Sequence, residues 1–252
     1  MSDVSGRVVM VTGGGRNIGA ATCSLLASQG WTVAVCDLNG ELADAHAATI
    51  TAAGGVAAGF HGDVTSESDV ARMVEEIGQQ LGPVTGLVNN VGLTANQTML
   101  DTTMDDWTRT LHSCLTSSML CMRQTVPGMI AAGGGAIVNV ASTTGHRGNA
   151  GKFAYGVAKA GVINMTRLAA VELAADGVRV NTVTPALTGS PVGLGDEHRR
   201  DGAPKNIPLG RWGEPIDQAQ AIAFLLSDAA AFITGAELLV DGGVLAAYPK
   251  AV

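Results

Sequence analysis

The stretch Thr12-Gly13-Gly14-Gly15-Arg16-Asn17-Ile18-Gly19 decides how this chain folds. It follows an apolar run over 7–12 and opens an amphipathic segment over 17–29. Glycines between a strand and a helix permit a tight turn and let backbone N–H groups approach a pyrophosphate at the helix N-terminus. Such a cluster alone also suits an ordinary turn. The next apolar run ends at Asp37, 18 residues past Gly19, where an acid accepts hydrogen bonds from a ribose 2′-OH. Together the two signals predict a dinucleotide site.

Working outward, short apolar runs at 7–12, 32–37, 56–61, 84–90, 136–142, 178–184 and 237–240 read as strands. They are too continuously apolar for half-exposed antiparallel strands, which alternate. Between them lie helical segments at 17–29, 41–53, 66–81, 105–131, 153–175 and 214–227. Ser66 with Asp69, and Glu214 with Pro215, are helix-start signals. This alternation predicts an α/β fold: one doubly wound parallel sheet of the Rossmann type, in a single domain spanning 1–252. The segment 185–215 follows a strand directly and is rich in Pro and Gly. It is expected to rise as a substrate loop from the carboxyl edge of the sheet, where such folds bind ligands.

Composition narrows the function classes. Gly is 34 of 252 residues, about twice the ~7% of average proteins. A net charge of −7 argues against nucleic-acid binding through a basic surface. Mean hydropathy is +0.26, yet no apolar run reaches the roughly 18 residues of a membrane span. The four apolar residues between Arg7 and Thr12 are too few for the core of a secretory leader. Cys23, Cys36, Cys114 and Cys121 form no CxxC pair and read as reduced thiols of a cytoplasmic protein. His46, His61, His112, His146 and His198 are dispersed, and no metal site is expected.

The glycine stretch resembles the TGxxxGxG fingerprint of the short-chain dehydrogenase/reductase family, in the branch whose chains are about this length. The resemblance runs along nearly the whole chain. Asn17 stands where the fingerprint has its middle Gly, and Asn tolerates left-handed backbone better than most residues. Asp63-Val64 resembles the family's adenine-reading pair. Asn89-Asn90-Val91-Gly92 resembles NNAG, which implies Asn90 near the adenine ribose, and Asp241-Gly242-Gly243 resembles the C-terminal DGG. The resemblance implies a cofactor site of Gly13, Gly15, Arg16, Asn17, Ile18, Gly19, Asp37, Leu38, Asp63, Val64, Asn90 and Gly92. Tyr155, Lys159, Pro185, Thr188 and Ser190 complete it at the nicotinamide end. Asp37 repels a 2′-phosphate whereas Arg16 is a residue type that favours one. The acid is weighed more heavily, so NAD is expected over NADP.

Tyr155 and Lys159 are spaced i, i+4 and share a helix face. A neighbouring ammonium favours the phenolate of a group whose reference pKa is near 10. Ser142 precedes Tyr155 by 13 residues, the family's spacing. The resemblance implies alcohol–ketone interconversion. Tyr155 is the general acid/base, Ser142 holds the substrate oxygen, and Lys159 supports the phenolate and the nicotinamide ribose. Where the family has an Asn that completes the set and supports a helix kink, this chain has Cys114, whose thiol cannot copy an amide. Retained activity with a weakened or rerouted proton relay is expected.

Leu93, Thr94, His146, Lys152, Phe153, Val192 and Leu194 fall where the family lines its substrate pocket. They suggest a small secondary alcohol or ketone, with His146, Arg147 and Lys152 as attractors of an anion or as a solvated loop. A homotetramer built on the helices at 105–131 and 153–175 is the family expectation. Two other readings stay open: a dinucleotide-binding protein impaired by Cys114, and a non-redox lyase on the same fold.

Overall fold

A computed structural model describes residues 6–94, 96–189 and 207–247. Its seven strands are β1 (Val8–Thr12), β2 (Thr32–Asp37), β3 (Val56–His61), β4 (Val84–Asn89), β5 (Gly135–Val140), β6 (Val178–Pro185) and β7 (Glu237–Val240). All pairings are parallel, in the order β3-β2-β1-β4-β5-β6-β7. The order reverses between β1 and β4, so a crevice opens beyond their carboxyl ends.

The helices are α1 (Asn17–Ser28), α2 (Gly40–Ala52), α3 (Glu67–Gln80), α4 (Met104–Leu111), α5 (Ser117–Ala131), α6 (Phe153–Leu173) and α7 (Pro215–Leu226). Successive side chains of a strand point to opposite faces, and β1 shows why its run has no polar alternate. Val9 and Val11 enter a core with Cys23 and Leu26 of α1 and Ile222 of α7. Val8 and Met10 enter the opposite core with Met73 of α3 and Met129 of α5. Caps set the helix starts: Ser66 Oγ accepts from Asp69 N at 3.3 Å, and Glu214 and Asp217 form a reciprocal box ahead of α7.

The segment expected as one helix over 105–131 is interrupted. His112–Thr116 form a π-turn between α4 and α5, a wider coil common at functional sites.

Candidate active site

The turn after β1 is held by its own glycines and by Asn90. Gly13 has φ +62° and Asn17 φ +50°, so Asn17 takes the left-handed backbone its residue type tolerates. Thr12 Oγ1 donates to Val88 O at 3.2 Å and accepts from Asn90 N at 3.0 Å. Asn90 Nδ2 donates to the carbonyls of Thr12 and Gly13 at 3.1 and 3.3 Å. Asn90 thus braces the turn as well as facing the cleft. A Cβ on Gly19 would lie 2.0 Å from Gly13 O, so only glycine lets α1 begin this close to the turn. Arg16 caps no amide of α1, and no acidic residue sits in the first turn. That end therefore suits an anion.

Asp37 is fixed at the tip of β2. Its Oδ2 accepts from Gly15 N at 3.1 Å and its Oδ1 from Asn39 N at 3.0 Å. Asp63 is oriented by Thr65, whose N and Oγ1 donate to Asp63 Oδ1 at 2.8 and 2.7 Å.

At the other end stand Ser142, Tyr155 and Lys159. Ser142 lies two residues beyond β5 and its Oγ accepts from Thr144 N at 3.2 Å. Tyr155 is in the first turn of α6. Lys159, one turn on, is 3% exposed, and its Nζ donates to Val140 O at 2.7 Å. That ammonium sits 5.8 Å from the Tyr155 ring centroid. Among the described residues no carboxylate is within ion-pair distance of it. Its charge is therefore available to a phenolate. Gly92 leaves room for it: a Cβ there would lie 3.2 Å from Nζ.

A cleft of ≈ 980 Å³ joins the two ends. Along it lie Gly13, Arg16, Asn17, Ile18, Asp37, Leu38, Asp63, Val64, Asn90, Gly92, Leu93, Thr94, Ser142, Tyr155, Lys159, Pro185 and Thr188. Gly15 and Gly19, also expected there, are not among its lining residues.

The family model described as enoyl-(acyl carrier protein) reductase matches residues 13–245. A cis-4-hydroxycyclohexanecarboxylate dehydrogenase of Sinomonas cyclohexanicum is 42% identical over 243 residues, 95% of this chain and 97% of the relative. A 2-(S)-hydroxypropyl-CoM dehydrogenase 3 of Xanthobacter autotrophicus is 38% identical over 247 residues, 95% and 96% of the two chains. A solved structure described as a short-chain dehydrogenase/reductase of Burkholderia xenovorans superposes with a TM-score of 0.92. It is 37% identical and covers 97% of this chain and 98% of its own. The chain belongs to the short-chain dehydrogenase/reductase family.

Against that family pattern, this short-chain dehydrogenase/reductase departs at Cys114. The residue sits fully buried at the middle of the π-turn. Its Sγ donates to Leu93 O at 3.3 Å and lies 3.7 Å from Ser113 Oγ. The thiol ties the π-turn to the loop after β4, a contact an amide can also make. Cys114→Asn is therefore expected to leave kcat/KM within about fivefold or to raise it, one neutral hydrogen bond being worth roughly 1 kcal/mol. Steady-state ketone reduction checks this, and a large loss would refute it. The other three thiols are buried, and burial pushes Cys121 up to about 12 and raises Cys23 and Cys36 as well.

Three expected substrate residues, His146, Lys152 and Phe153, are off the cleft wall. His146 points its Nε2 at Glu237 Oε1, 2.6 Å away, where Thr184 Oγ1 also donates at 2.5 Å. Arg167 lies 3.6 Å from Glu237 Oε2. A half-buried carboxylate on β7 has captured the ring that the loop carries. Lys152 is also off the wall, bonded instead to Thr94 Oγ1 at 2.7 Å. Phe153 packs on Trp107 with ring centroids 5.8 Å apart. Ser190, Val192 and Leu194 lie outside the described residues, as does 190–206 of the expected loop.

The sequence reading missed Asp105, Thr108, Arg109, His112 and Ser113, which also line the cleft. Their i, i+3, i+4 spacing marks one helix face and was the available signal. His112 faces the cleft while Cys114 is buried beneath it, as their two-residue offset requires.

Proposed function

We propose that the chain is an NAD-dependent dehydrogenase/reductase that interconverts a small secondary alcohol and its ketone. The observation that carries this is one cleft with the Gly13–Asn17 turn and Asp37 at one end and Ser142, Tyr155 and Lys159 at the other. The glycine cradle fits the cofactor, because a Cβ on Gly13 would meet Asn90 Nδ2 at 3.1 Å and close the approach. The turn and the amides of α1 would hold the pyrophosphate, Asp37 a ribose, Asp63 and Val64 the adenine. Pro185 and Thr188 would flank the nicotinamide. Bound nicotinamide supplies or accepts the hydride.

The protein's part is to move the proton and steady the oxygen. Ser142 Oγ donates to the substrate oxygen and stabilises its developing charge. Tyr155 gives its hydroxyl proton to that oxygen in reduction and recovers it in oxidation. Lys159 stabilises the phenolate left behind, since a neighbouring opposite charge favours the anion. Lys159 has three donors and uses one on Val140. The others are available to the nicotinamide ribose.

Asp37 supports NAD over NADP. Its carboxylate would meet a 2′-hydroxyl as an acceptor and a 2′-phosphate as a like charge. Asp37→Ala is expected to lower the NADH-over-NADPH ratio of kcat/KM by about 10–100-fold, the worth of a hydrogen bond to a charged group plus relieved repulsion. Oxidation of both cofactors with a panel of cyclic, aryl and keto-acid ketones measures it. An unchanged ratio would place cofactor choice elsewhere.

A homotetramer and a cytoplasmic location belong to the same proposal. Met119 of α5 and Leu168 and Val171 of α6 are apolar and exposed, which supports contact through these helices. Among the described residues no helix is long and apolar enough to cross a membrane. Cys114 motivates one rival, a protein that binds the dinucleotide without turnover. Tight NADH binding with no ketone reduced, and reduction restored by Cys114→Asn, would establish it.

A further inference from the structure

Three basic residues follow Ser142 in sequence, and two are occupied. His146 is bonded to Glu237. Arg147 Nη2 donates to the carbonyls of Leu245 and Ala247 at 2.7 and 3.3 Å. Lys152 differs. It immediately precedes α6, three residues before Tyr155, and is half-buried. Its Nζ donates to Thr94 Oγ1 at 2.7 Å and to Asn96 Oδ1.

Both acceptors are neutral, and among the described residues no carboxylate lies within ion-pair distance. An ammonium has three donors, so one remains after Thr94 and Asn96. The nearby Asp106 is already committed to Gln97, Thr103 and Arg109 at 2.7, 2.7 and 2.6 Å. Removal from water pushes the Lys152 pKa down, as happens when a cation loses hydration without gaining an opposite charge. The ammonium is also held in place. Gln97 N donates to Gly151 O at 2.8 Å, which fixes the loop bearing Thr94 against the start of α6. Thr94 itself is on the cleft wall.

An oriented, partly desolvated cation beside a cleft, with no counter-ion among the described residues, is the arrangement that an anionic ligand completes. We propose that Lys152 recognises a carboxylate on the substrate, so that the site takes hydroxy acids and keto acids in preference to neutral alcohols and ketones. This deepens the alcohol–ketone reading and rests on it. Lys152 acts on binding and specificity, while the proton stays with Tyr155.

The test pairs each keto acid with its neutral methyl ester: 4-oxocyclohexanecarboxylate and acetoacetate, with NADH as reductant. The wild type is expected to favour the acid in kcat/KM by about tenfold or more, the ordinary worth of one charge-assisted hydrogen bond. Lys152→Gln removes that preference mainly through KM, and Lys152→Arg retains it. The acid-to-ester ratio is internal to each variant, so partial loss of folded protein leaves it interpretable. Equal use of acid and ester by the wild type, or an unchanged ratio in Lys152→Gln, overturns the proposal.

A second readout needs no turnover. Calorimetry in the presence of NADH compares cyclohexanecarboxylate with cyclohexanecarboxamide. Tighter binding of the carboxylate by the wild type, lost in Lys152→Gln, supports the anion site even when no ketone is reduced. That combination would overturn the redox reading alone. Equal binding of the two ligands by the wild type overturns the anion site.

Discussion

Replacing Tyr155 with Phe is expected to lower ketone reduction by about 10²–10⁴-fold, the usual contribution of a positioned general acid or base. The change removes one oxygen and keeps the ring. The first turn of α6 therefore keeps its packing, and the Lys159 bond to Val140 O is untouched. Solvent water can still protonate the developing alkoxide, but without a fixed donor beside Ser142. The pH dependence of the residual rate should flatten, because the proposed proton donor and acceptor has gone. Steady-state NADH oxidation across pH measures both effects, with a fluorescence titration of NADH binding alongside. A rate within tenfold of wild type would reassign the proton to another group, and the Ser142 hydroxyl would be the next to test.

Gly19→Ala should be nearly as damaging, for a mechanical reason. The new Cβ would sit 2.0 Å from Gly13 O, 2.8 Å from its carbonyl carbon and 2.9 Å from Asn90 Nδ2. Two of these are backbone atoms of the very turn that would face the cofactor, so no side-chain rotation relieves the clash. The start of α1 must move away from β1, separating the amides that the anion site needs. Overpacking at this level costs about 1–3 kcal/mol or more in stability, and cofactor affinity should fall by about 100-fold or more as the pyrophosphate contacts are lost. Gly78→Ala is the matched control. Gly78 lies inside α3 with open space where a Cβ would be. Alanine there should add about 0.4–1 kcal/mol of stability by restricting the unfolded chain. Thermal unfolding with and without NADH separates the two variants. Normal NADH binding by Gly19→Ala would show that the turn is not the phosphate site.

The strands were legible because both faces of each inner strand are covered, leaving continuous apolar runs such as Val8–Thr12. The spacing of Ser142, Tyr155 and Lys159 was legible for a related reason: a strand end and a helix turn convert sequence separation directly into position. The π-turn at His112–Thr116 was legible only as the kink that the family resemblance implies at Cys114, since five residues are too short a window for one extra residue to show in the hydrophobic period. The fates of His146, Arg147 and Lys152 were hidden too. Three basic residues a few positions apart are sorted by partners 91 residues away at Glu237 and 98 away at Leu245, or by Thr94 across the cleft mouth. No local pattern records such choices. The second role of Asn90, bracing the turn through Thr12 and Gly13, likewise depends on strands that meet only in the folded sheet.

The bond from Lys159 to Val140 O has a consequence for how this protein can change over generations. The carbonyl belongs to the last residue of β5, and Ser142 follows two positions later on the same strand exit. The ammonium and the hydroxyl are thus surveyed from one fixed point in the sheet, whereas Leu93 and Thr94 belong to a peripheral loop. Side chains on that loop can be exchanged and selected for a new substrate while the anchor of the ammonium and the hydroxyl in the sheet stays in place. Inheritance can revise what the enzyme accepts and pass on unaltered the means by which it acts.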